Sequence, residues 1–113
     1  SGAKNAYQLI SMAYEKADRA ALKSLLSAEV FAAFDAAITA RTGTPPVFAG
    51  LKEARLAGAS LQDGEAEITM AFTADFTGGD TARTVTDVWT FGRRVDAADP
   101  NWTLVATGGD LPG

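Results

Sequence analysis

The chain has 113 residues, 47% apolar and 21% charged, the make-up of one globular domain long enough to bury roughly two thirds of its unfolded surface. Ten basic residues against fourteen acidic ones leave a formal charge of −4, which argues against a nucleic-acid partner and against a general electrostatic grip on anionic lipid. With no Cys and no His, thiol nucleophiles, imidazole bases and Ser-His-Asp hydrolysis are excluded, as are the usual zinc and haem ligand sets, so no cofactor and no metal is expected.

No stretch approaches the ~20 consecutive apolar residues of a membrane-spanning helix, and no signal peptide is visible. Ser1-Gly2 reads as the remnant of a cleaved expression tag, which leaves residues 3–113 as a single domain cut from a longer protein.

Over residues 3–17 apolar side chains recur at helical spacing. Tyr7, Ile10, Ala13, Tyr14 and Ala17 form one stripe, and Leu9 and Met12 widen it. Lys4, Lys16, Arg19 and Lys23 against Glu15 and Asp18 make this end mildly basic, the plainer reading being a solvated helix face. Asp18 suits the N-cap of a second helix over residues 19–26, carrying Leu22, Leu25 and Leu26. Ser27 caps a third, with Glu29 in its first turn and Val30, Phe31, Phe34, Ala37 and Ile38 on the buried side. Gly43 is its natural stop, and Pro45-Pro46 prevents a restart.

After a loop over residues 44–50 the period changes to two. In residues 51–62, Ala54 and Leu56 share one phase and Ala59 and Leu61 the other, so a bulge at Gly58 would bring both pairs to one face. Asp63-Gly64 is a hairpin signal. Residues 65–77 then alternate cleanly, with Ala66, Ile68, Met70, Phe72, Ala74 and Phe76 inward. Gly78-Gly79-Asp80 makes a second hairpin. Residues 81–95 form a third strand with Val85, Asp87, Trp89 and Phe91 on one face, and Asp99-Pro100-Asn101 turns the chain into a fourth over residues 102–109. Helices first and an antiparallel meander after give the α+β class, with three helices on one face of a curved four-stranded sheet.

Asp87 is the polar residue that stands out, since alternation sets it among Trp89 and Phe91. A carboxylate in apolar surroundings has a raised pKa and can serve as a base. Tyr7, Tyr14 and Asp35 lie on the helices that would face it. The plainer reading places Asp87 near the sheet edge or pairs it with Arg83 or Arg93. Tyr7, Tyr14, Phe34, Met70, Phe72, Phe76, Trp89 and Phe91, with Asp87, are candidates to line a ligand pocket; as large apolar groups most of them are also ordinary core. Lys4, Lys16, Phe48, Arg93 and Arg94 are candidates for membrane or partner contact, Phe48 because it sits in a Pro-rich loop.

The run Ala6-Tyr7, Ile10, Ala13-Tyr14, Lys16-Ala17-Asp18, then Leu22, Leu25-Leu26-Ser27, Glu29-Val30, Phe34 and Ile38 resembles the opening of the Tim-44-like domain family. The close, Val88-Trp89-Thr90-Phe91 and residues 99–107, resembles its bacterial members. The resemblance implies a cone similar to the nuclear-transport-factor-two-like or cystatin-like folds. It also implies a non-enzymatic tethering domain of an inner-membrane protein, placed on the cytoplasmic side, that recognises lipid or hydrophobic polypeptide within a translocation or membrane complex. Two further readings stand beside it: a small isomerase- or dehydratase-like enzyme using Asp87, and a structural module that pairs as a homodimer through the open sheet face.

Overall fold

A computed structural model describes residues 2–78, 82–99 and 101–109. The order is α1 (Gly2–Lys16), α2 (Arg19–Leu25), α3 (Ala28–Ala40), β1 (Val47–Gln62), β2 (Glu65–Thr77), β3 (Arg83–Arg94) and β4 (Thr103–Gly109). The fold is α+β, an antiparallel meander in the order β1-β2-β3-β4 with the helices gathered on one face.

The buried stripe of α1 is Ala3, Tyr7, Ile10, Ser11, Ala13 and Tyr14. Leu9 and Met12, expected to widen it, instead face outward, at 56% and 43% exposure. They lie on the far side of the stripe from the sheet, so the helix has a second apolar feature that its inner packing does not use. The helix stops because Ala17 takes a left-handed φ of 56°. The Asp18 N–H then reaches the Ala13 carbonyl at 2.8 Å and the Ala17 N–H reaches that of Tyr14 at 3.1 Å, the pair of bonds that defines a Schellman terminus.

Both predicted N-caps form: Asp18 accepts from the Ala21 N–H at 3.1 Å and Ser27 from the Val30 N–H at 3.3 Å. At its other end α3 stops earlier than the glycine signal at Gly43 suggested, because Arg41 turns extended. That turn delivers its guanidinium to the half-buried carbonyls of the last turn of α1, donating to Tyr14 at 2.8 Å and Glu15 at 3.1 Å.

In the sheet, β1 begins at Val47 inside the predicted loop, since Phe48 pairs across to Phe76. The shift between Leu56 and Gly58 is the expected bulge, with Ala57 as the extra residue. Further shifts follow Phe48 and Leu51. Each restores phase, so Phe48, Leu51, Ala54, Leu56, Ala59 and Leu61 all share the inner face. Asp63 and Gly64, at φ 52° and 78°, form the predicted hairpin turn. Gly79, Asp80 and Thr81 of the second hairpin lie outside the described residues, as do Pro100 and Ser1. Trp89 and Phe72 lie on the same side of the sheet, ring centres 6.0 Å apart.

Candidate functional site

Strand β3 holds Asp87 opposite Phe72 of β2 and Gly109 of β4, in the interior of the sheet rather than near its edge. The residue has no solvent exposure. From the facing side α1 brings Tyr7, whose ring stacks on Phe72 at 4.4 Å and meets Trp89 at 4.5 Å. Its hydroxyl donates to Oδ2 of Asp87 at 2.6 Å. Burial, then the hydrogen bond to Asp87 and its charge, push the Tyr7 pKa well above the usual phenol range, with the Ser11 hydroxyl one turn along the helix acting the other way.

All nine pocket candidates are buried or nearly so. Phe34 stands edge-on to both Tyr14 and Trp89, and Phe91 edge-on to Phe72 and Trp89, so these rings pack against one another in the core. Met70 pairs with Trp89 across the strands, and Phe76 lies at the far end against Phe48. Of the helical groups expected near Asp87, only Tyr7 bonds it. Tyr14 keeps a buried hydroxyl with no partner among the described residues, and Asp35 turns outward to an ion pair with Arg19.

The expected contact residues divide. Lys4 and Lys16 are exposed on α1. Phe48 is half-buried between Tyr7 and Phe76, and so belongs to the core margin. Arg93 does not reach Asp87; its guanidinium lies 5.9 Å over the Trp102 ring. Arg94 is tied down by Asp96 and the Asp63 carbonyl, both at 3.3 Å.

A separate groove of about 580 Å³ opens on the outer side of α1, between that helix, α2 and the segment entering β4. Ala6, Leu9, Leu25 and Trp102 give it apolar walls, and Asn5, Ser24, Asp99 and Asn101 give it polar groups. Its volume is that of a small-ligand or side-chain site. The sequence signal for it was Leu9, out of phase with the inner stripe, together with a Trp placed at the mouth of a strand.

Among the described residues no cluster of acidic side chains fits a metal, and no helix is long and apolar enough to cross a membrane. No curated protein matches the chain. A family model, the Tim44-like domain, matches residues 1–109. With nearly its whole length covered, and with the helix-first, meander-after fold laid out above, the chain belongs to the Tim44-like domain family.

Proposed function

We propose that this domain is a non-catalytic binding and tethering module of a membrane-associated, translocase-related protein, and that it recognises a lipid tail or an apolar polypeptide side chain in the groove on the outer side of α1. The observation that carries the reading is the groove itself, where Leu9 stands 56% exposed beside Leu25 and Trp102. A large apolar side chain left in water on a concave surface, beside the partly buried Leu25 and Trp102, suits recognition of an apolar ligand. Family membership supports a membrane-associated setting; in this reading the domain belongs to a larger, anchored protein and sits on the cytoplasmic side of an inner membrane. The bulged strands wrapping one face around the helices support a cone of the nuclear-transport-factor-two-like type.

The burial of Asp87 weighs against the catalytic alternative. A general base must come within hydrogen-bond reach of its substrate, and this carboxylate presents no surface and is held by Tyr7.

The test is co-sedimentation with vesicles of neutral and of anionic lipid, alongside titration with short apolar peptides, for the wild type and for Leu9→Glu. Binding by the wild type that drops about tenfold in the variant is expected, since losing the burial of about half a leucine and burying a charge exceed 1.4 kcal/mol. Background binding to both vesicle types and to the peptides would overturn the reading.

A further inference from the structure

Among the described residues strand β1 is an outer strand of the sheet, paired on one side, to β2. Its two halves differ. The first half carries Lys52 and Glu53 and meets α1 through Phe48, whose ring faces Tyr7 and whose N–H is taken by Glu15. The second half has no such cover: residues 55–62 are all exposed. After Arg55 none of them carries a charge: Leu56-Ala57-Gly58-Ala59-Ser60-Leu61 and then Gln62. An open, uncharged strand edge is the feature that proteins ordinarily guard with charges, Pro or a covering helix.

The stretch also reads nearly the same in both directions, with leucine at each end, a small residue inside each leucine, and Gly and Ala in the middle. A two-fold interface requires that residue i meet j while j meets i, and antiparallel pairing of this stretch with itself meets that condition. We infer that the exposed half of β1 pairs antiparallel with the same segment of a second copy, joining two four-stranded sheets into one of eight.

In this pairing Leu56 of one copy lies across from Leu61 of the other, at both ends. The bulge at Ala57 matters here, because it puts both leucines, 61% and 65% exposed, on the same face of the sheet. With Ala57 as the extra residue on each strand, Ala59 lies across from its own copy on the two-fold axis, and Gly58, without a side chain, lies across from Ser60. The charges are complementary as well: Arg55 arrives beside Gln62 and Asp63 of the other copy. Eight residues a side is well short of the ~20–30 of a stable interface, so the association is weak and concentration-dependent.

Sedimentation from about 10 μM to about 1 mM, the range in which weak complexes dissociate, is expected to show the mass rising from 11.7 kDa toward twice that value. Because the chain has no Cys, single cysteines give a clean second readout. Ala59 lies on the two-fold axis, about 5 Å from its symmetry mate, within disulfide reach. Oxidised Ala59→Cys is expected to run as a covalent dimer and Ser24→Cys, exposed on α2, as a monomer. Ala59→Lys and Leu61→Lys, both at exposed positions, are expected to stay folded by circular dichroism and to remain monomeric throughout. Four results would each overturn the proposal: a constant mass of one chain, equal cross-linking of the two cysteine variants, a dimer that survives Ala59→Lys, or a monomer whose β1 edge is instead taken by an added extended peptide.

Discussion

The Tyr7 hydroxyl donates to Asp87 at 2.6 Å across 80 positions of sequence, joining the first helix to the third strand inside the aromatic cluster. It gives a buried carboxylate a donor that the surrounding rings do not supply. It also fixes how α1 sits, because the ring that carries it is wedged between Phe72 and Trp89.

Two tyrosines two turns apart on the same face of α1 therefore make opposite predictions. Tyr7→Phe removes a hydrogen bond to a buried charged group and is expected to cost about 1.5–3 kcal/mol. Tyr14→Phe removes a buried hydroxyl with no partner among the described residues and is expected to be neutral or to stabilise by up to about 1 kcal/mol. Urea denaturation of both variants checks this, and equal losses would refute the assignment.

The raised pKa of Tyr7 makes part of the stability depend on pH, and the direction is fixed. Below about pH 10, the unfolded phenol value, Tyr7 is protonated in folded and unfolded chains alike, and its contribution is constant. Above it the unfolded chain releases a proton that the folded chain retains, so stability falls, by up to about 1.4 kcal/mol per pH unit. Tyr7→Phe lacks that proton. The stability gap between wild type and variant is therefore expected to shrink from about pH 9 to about pH 11, and a gap that stays level would contradict the folded-state shift.

Much of this fold could be read in advance because it rests on local signals. Asp18 and Ser27 cap helices wherever a free turn of N–H groups follows them, and Asp63-Gly64 supplies the two left-handed residues that a tight hairpin needs. The alternation from Ala66 to Phe76 leaves β2 a single register. What was not legible depends on contacts between distant segments. Nothing local marks Arg41 as the residue that ends α3, since its partners are carbonyls on α1. Leu9 and Met12 looked inward because a helical period marks apolar positions without saying how wide the covering sheet is. For Asp87, alternation gave the correct face, while its partner came from a helix 80 positions away.

Ala17 offers a stabilising change. It occupies a left-handed position at the end of α1, φ 56°, where an L side chain is strained and glycine is not. The Schellman bonds from Ala17 and Asp18 remain in Ala17→Gly. Part of the relief is offset by the greater freedom of glycine in the unfolded chain and by the loss of a methyl packed at the core margin. A net gain of about 0.5 kcal/mol is expected, read as a higher urea midpoint at unchanged slope.

Arg41 is the cap that the sequence hides. Its guanidinium forks onto the Tyr14 and Glu15 carbonyls and lies 5.1 Å from the centre of the Tyr14 ring, so one side chain satisfies two terminal acceptors of α1 and sets positive charge at the negative end of that helix dipole. Arg41→Ala is expected to cost about 2 kcal/mol, the loss of charge-assisted bonds to half-buried carbonyls. Arg41→Lys should recover about half of it, because an ammonium keeps the charge but cannot present two parallel N–H groups to both acceptors. If charge alone mattered, Lys would restore the wild-type midpoint and added salt would erase the difference between Arg and Ala. If the fork matters, Lys falls short and the deficit persists in salt, because a partly buried contact is weakly screened.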